Sequence, residues 1–404
     1  MKSLNLNLKL SISLLTLMAV LVTGCFKDHD LTPDPENSYL FKADNIATVS
    51  AAEVKSRASA LASFVKSGVK VYRLTYHTKA LDGKPVLASG VVLFPENFSD
   101  SLSVLSFQHG TMTTEDEAPS NYKPVGNAEA YVAATIGASL AKGYYIVMPD
   151  YLGYGESKSI QHPYQHRASL ASASLDMLRA AKEFAGANHL KLKKKIQLAG
   201  YSEGGYATMA LHQEIEKNAA SEFMVLKSYP AAGPYDMVST AQWVVSQTTE
   251  MPAAAASYYL WVLLTYNQMY GINAPLTDLV TPLNASKIAA ATAAGNPLAA
   301  QIDLDPSKLY TPAFISGIKN ATNTKFIAAL RENNVYDWKP KAPVVLFHSE
   351  GDDFVPFLNA VITEKKMTEN GAMVTLSRIQ PPTATHREGA QLYLASMIGL
   401  LLAP

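Results

Sequence analysis

Residues 195–205 read KIQLAGYSEGG. The first six, ending in Gly200, are strand-like. The segment 205–218, GYATMALHQEIEKN, has helix composition. Between them stands Gly200-Tyr201-Ser202-Glu203-Gly204, a G-x-S-x-G pattern. A serine between a strand and a helix, with glycine two residues to either side, predicts a turn too tight for neighbouring side chains. Such a turn lifts the Ser202 hydroxyl to the C-terminal edge of a sheet, where it can meet a carbonyl carbon.

The surrounding chain alternates strand and helix. Continuous apolar runs at 102–107 (LSVLSF), 144–149 (YYIVMP) and 343–349 (PVVLFHS) read as strands buried on both faces, the pattern of a mostly parallel sheet. Segments 130–143 and 173–186 read as helices closed by glycine. Segments 69–78 and 85–95 are rich in β-branched and aromatic residues around the Asp82-Gly83 turn signal and predict a hairpin. From 234 to 340 the alternation stops and helix formers dominate. That stretch reads as a helical cap inserted between a first core part, 46–233, and a second, 341–404. Within it, 253–271 is apolar nearly all round, but Ser257, Thr265, Asn267 and Gln268 and the lack of charged flanks favour a buried or groove-lining helix over a membrane span.

A serine hydroxyl needs a base, and the base needs a carboxylate. His386, in PPTATHREGA (381–390), falls in the loop after the last strand and before the last helix. His212 lies within the helix after Ser202, and His348 ends a strand. The acid comes from LFHSEGDDFVPF (346–357); alignment on Val355-Pro356 favours Asp352, with Asp353 and Glu350 as alternatives. The developing oxyanion needs N–H donors. These are assigned to Glu203, directly after the serine, and to Thr111 in SFQHGT (106–111), with Met112 the alternative. His109 then supports its loop, and Asp150 in MPDYLGYGES (148–157) is structural.

Taken together, these motifs resemble the α/β-hydrolases over roughly 65–233 and 341–404. The His-Gly-Thr loop, the Pro-Asp-Tyr-x-Gly loop and the Gly-x-Ser-x-Gly-Gly elbow are most similar to the secretory lipase/esterase group. That group often carries glutamine after the serine, where this chain has Glu203, and Ser349 stands where the acid loop's first glycine is expected. The resemblance implies an α/β-hydrolase fold and a serine ester hydrolase acting on acyl or aromatic esters through Ser202, His386 and Asp352. A serine peptidase of the same fold, acting on aminoacyl or prolyl amides, stays open. So does a non-catalytic protein binding an apolar ligand under the cap.

The 404 residues are 48% hydrophobic and carry 34 basic and 34 acidic side chains. Zero net charge argues against a nucleic-acid partner, and no pattern calls for a metal or other cofactor. Lys2 and Lys9, an apolar run from Leu10 to Val22 and Thr23-Gly24-Cys25 read as a signal peptide over 1–24. The stretch LVTGC resembles a bacterial lipobox, which implies lipidation of Cys25 and a membrane anchor. Phe26, not aspartate, follows the cysteine, which by the same resemblance points to the outer membrane of a Gram-negative cell. Residues 25–45 read as a linker.

Overall fold

The structure, a computed structural model, describes residues 38–98, 101–122, 129–296 and 300–402. The signal peptide and Cys25 lie outside the described residues. Nine strands form one sheet: β1 (Leu40–Val49), β2 (Val69–Lys79), β3 (Pro85–Pro95), β4 (Leu102–Gln108), β5 (Tyr144–Pro149), β6 (Leu192–Tyr201), β7 (Met224–Ala231), β8 (Val344–His348) and β9 (Val374–Arg378). Their spatial order is β1-β2-β3-β5-β4-β6-β7-β8-β9. From β5 to β9 every neighbouring pair is parallel, whereas β1, β2 and β3 add an antiparallel edge. This is the mostly parallel α/β-hydrolase sheet.

The hairpin β2–β3 pairs Lys79 with Pro85. Gly83 takes φ 81° at its tip, a left-handed angle that glycine adopts without strain. The linker expected over 25–45 is corrected at its end: residues 40–45 belong to β1, so the core begins earlier than 46. Its sequence, LFKADNIATV, has a weak alternation and mixed polarity, and its strand character comes from pairing with β2. The carboxylate of Glu183 also accepts the N–H groups of Tyr39 and Leu40 at 3.0 and 2.8 Å.

Both sheet faces are covered. One packs against helices Glu129–Ser139 and His386–Leu402, with Ile146, Met148, Tyr393 and Met397 buried there. The other packs against helix Arg167–Ala187 and the first helix after the nucleophile turn, Glu203–Asn218. Between β7 and β8 the chain leaves the sheet through helices Met237–Val244, Ala253–Met269, Pro282–Ala293, Pro312–Lys319 and Thr324–Glu332. Their apolar side chains form a further core with Tyr206, Leu346 and Phe354. Helix Ala253–Met269 buries Leu260 and Tyr266 there, and no described helix is long and apolar enough to cross a membrane.

Candidate active site

The turn after β6 explains its glycines by contact. Ser202 has φ 60° and ψ −123°, a strained conformation for a residue with a side chain. A Cβ on Gly200 would stand 2.3 Å from the Gly204 carbonyl oxygen. One on Gly204 would stand 2.0 Å from the Gln108 carbonyl, and one on Gly205 2.1 Å from that of Ala231. Strands β4 and β7 therefore close on the turn from both sides. The backbone of Gly110 also passes close, with a would-be Cβ 3.8 Å from the Ser202 Cβ.

Three strand ends converge on the serine, at the C-terminal edge where open α/β sheets bind ligands. Ser202 follows β6, Asp352 follows β8, and His386 opens the last helix after β9. The hydroxyl of Ser202 lies 2.9 Å from His386 Nε2, and His386 Nδ1 lies 2.7 Å from Asp352 Oδ2. Asp352 Oδ1 accepts the N–H groups of Phe354 and Val355 at 2.9 and 2.8 Å. The neighbouring carboxylates do other things. Asp353 Oδ1 accepts the backbone N–H of His386 at 2.9 Å, and Glu350 forms an exposed ion pair with Arg378.

The imidazole of His386 is held on several sides. Phe354 stacks on it at 4.9 Å and 8°, and the Tyr201 hydroxyl donates to its carbonyl oxygen at 2.7 Å. Ser349 donates to the Ala384 carbonyl at 2.6 Å, tying the acid loop to the histidine loop. That hydroxyl gives the serine a use at the position where a glycine was expected.

His348 is a contributor that sequence reasoning passed over. Its Nε2 lies 3.2 Å from Asp352 Oδ2 and 3.1 Å from the Val355 carbonyl, while Nδ1 is buried with no partner among the described residues. The tautomer with its proton on Nε2 fits this setting, so it supports Asp352 as a donor. Burial raises the Asp352 carboxyl, but His386 and His348 outweigh it and hold its pKa well below the usual carboxylate range.

The loop after β4 sits beside the nucleophile. Thr111 Oγ1 lies 2.8 Å from the Tyr164 hydroxyl, and the Met112 carbonyl accepts from Tyr154 at 2.6 Å. The two ring nitrogens of His109 face the carbonyls of Gly110 and Asp150, and its ring packs on Tyr151. Asp150 is fully buried, accepts from Ser89 Oγ and the Ser120 N–H, and so joins β3 to that loop. Burial raises its carboxyl. His212, by contrast, points to Ser228 and Glu216.

Glu203 begins the helix after the turn, where an N–H has no intrahelical acceptor. Its side chain is 1% exposed and meets His162 Nε2 at 3.0 Å. His162 gave no sequence signal, since it comes from a loop 41 positions upstream.

Ser202 lies at the wall of an apolar pocket that runs beneath the helices inserted between β7 and β8. Tyr258, Leu263, Phe314, Ile318 and Phe354 are among its walls. That lining suits an apolar ligand.

The secretory lipase family model matches residues 127–246. A candidate hydrolase from Legionella pneumophila subsp. pneumophila is 26% identical, with 90% of this chain and 97% of that one covered and a TM-score of 0.80. The rice cell wall degrading esterase LipA from Xanthomonas oryzae is 26% identical over 91% and 97% of the two chains, with a TM-score of 0.74. Lipase A from Candida antarctica, 16% identical over 86% and 77% with a TM-score of 0.62, shares the fold. No curated protein sequence matches the chain significantly.

Proposed function

We propose, from the premise that the chain is an α/β-hydrolase of the lipase and esterase group, that it is a serine hydrolase of carboxylic esters working through an acyl-enzyme. The observation that carries this reading is the hydrogen-bonded series Ser202–His386–Asp352 at the wall of an apolar pocket.

Ser202 Oγ attacks the ester carbonyl carbon while His386 Nε2 takes its proton. Asp352 holds the Nδ1–H and stabilises the imidazolium. The N–H groups of Glu203 and Thr111 receive the negative oxygen of the tetrahedral intermediate. The intermediate collapses, His386 protonates the departing alcohol, and an acyl-Ser202 ester remains. Water, deprotonated by His386, attacks that ester and releases the carboxylic acid and free Ser202. The apolar pocket favours acyl or aromatic groups.

The N-terminal sequence supports a lipid anchor at Cys25, in the outer membrane of a Gram-negative envelope. Acyl-chain labelling of the wild-type chain, lost in Cys25→Ser, tests the anchor.

Turnover of p-nitrophenyl esters of graded chain length, feruloyl and acetyl-sugar esters and aminoacyl amides tests the activity. Ester turnover that exceeds amide turnover agrees with the proposal. Release of amines without release of alcohols contradicts it and favours a peptidase.

A further inference from the structure

The loop between β5 and helix Arg167–Ala187 touches both segments assigned to the oxyanion. His162 reaches Glu203 Oε1 at 3.0 Å, and Tyr164, two residues on, reaches Thr111 Oγ1 at 2.8 Å. Both rings also meet one cap side chain. Tyr164 stacks on Trp261 with centroids 4.3 Å apart and planes 11° apart, and His162 meets its edge at 5.5 Å and 65°. Tyr154 extends the cluster, packing on His162 at 4.8 Å and donating to the Met112 carbonyl.

The contacts on His162 are specific. Its Nδ1 stands 2.6 Å from the Leu152 carbonyl and donates to it. Nε2 and Glu203 then share one proton in a bridge that is 4% exposed at the histidine and 1% at the glutamate. Glu203 Oε2 is buried and has no partner among the described residues. A buried carboxyl with half its capacity unmet is costly, and among the described residues His162 is the side chain that hydrogen-bonds it. The pair therefore does more than fill space: it fixes the residue whose N–H follows the nucleophile.

We propose that His162 and Tyr164 are positioning residues for acyl transfer, which set the oxyanion donors of Glu203 and Thr111 and are clamped by Trp261 of the cap. This inference rests on the acyl-enzyme reading above. Oxyanion donors act on charge that develops in the transition state, so their misplacement lowers kcat more than it raises KM. A shift of about 1 Å in such a group costs up to roughly a hundredfold in rate.

The test uses wild type, Tyr164→Phe, Thr111→Val, their double variant, His162→Ala and His162→Gln. It measures p-nitrophenyl butyrate kinetics and the inhibition constant of an alkyl trifluoromethyl ketone. We expect Tyr164→Phe to lower kcat by roughly tenfold with KM within about twofold, and to weaken the ketone by a similar factor. Thr111→Val should do the same, and the double variant should lose no more than either single one. His162→Ala should lose more, and His162→Gln, which keeps a donor toward Glu203, should recover part of the loss at unchanged melting temperature. Wild-type kcat and ketone affinity in both Tyr164→Phe and His162→Gln, or losses confined to KM, would overturn the inference while leaving the acyl-enzyme reading intact. A wild-type protein without ester turnover or fluorophosphonate labelling overturns both.

Discussion

Asp353 takes the backbone N–H of His386 at 2.9 Å, while Asp352, one residue earlier, takes the ring Nδ1 at 2.7 Å. Adjacent carboxylates thus hold one histidine by two different handles. Only the second handle sets the tautomer that leaves Nε2 free to accept a proton from Ser202. Asp352→Asn should lower kcat by about 10³–10⁴-fold. Asp353→Asn keeps an acceptor for the N–H and should lower it by about tenfold or less. Steady-state kinetics on the two variants decide this, and equal losses would contradict the division of labour.

The glycines of the nucleophile turn should be intolerant of a single methyl group. A Cβ at Gly204 meets backbone oxygens at 2.0 and 2.6 Å, and main chain cannot rotate away as a side-chain tip can. Gly204→Ala should destabilise the fold by about 3 kcal/mol or more and abolish turnover. Gly186→Ala, where nothing lies within 4 Å of the added atom, should unfold at nearly the wild-type denaturant concentration.

His166 predicts a pH dependence of stability. Its Nδ1 accepts the Ser169 N–H as the N-cap of helix Arg167–Ala187, and burial, with Arg167 beside it, pushes its pKa down to about 4. The unfolded chain binds this proton from about pH 6.5 downward, but the folded chain binds it only near pH 4. The neutral histidine therefore favours folding fully above about pH 6.5, and that contribution is lost as the pH falls from there to 4. His166→Asn keeps a capping acceptor and removes the titration. Its stability should change less between pH 7 and 4 than that of the wild type, by up to about 3 kcal/mol. Parallel pH slopes in urea melts would rule out this role.

The pocket under the cap predicts a chain-length switch. Ala241 is a small, half-buried residue on its wall. Ala241→Phe should lower kcat/KM for dodecanoyl esters at least about tenfold relative to acetyl esters. A uniform loss across chain lengths would place the acyl chain elsewhere.

Much of the architecture was legible because its signals are local. Apolar strand runs, helix composition and the turn around Ser202 each follow from residues near in sequence, although the glycines read as helix stops are not the ends: helix Arg167–Ala187 runs through Gly186 to an Asn188 cap, and helix Glu129–Ser139 ends before Gly143. The order of Ser202, the acid and His386 along the chain could also be read. Alignment on Val355-Pro356 favours Asp352 over Asp353, but the separate part of Asp353 could not be read, because it depends on a backbone N–H in a loop 33 residues away. Strand β1 was hidden by its mixed composition, as its hydrogen bonds come from β2 and Glu183. The partners of Glu203 and Asp352, His162 and His348, were hidden for the same reason: a buried pair made across the fold leaves no spacing to read.

In the proposed reaction Ser202 carries the acyl group. Quenching the protein during p-nitrophenyl acetate turnover, digesting it and weighing the peptide that contains Ser202 tests this most directly. An acetyl adduct is expected on Ser202, with adduct and turnover both absent in Ser202→Ala. Undiminished turnover in Ser202→Ala, or an adduct on another residue, would contradict it.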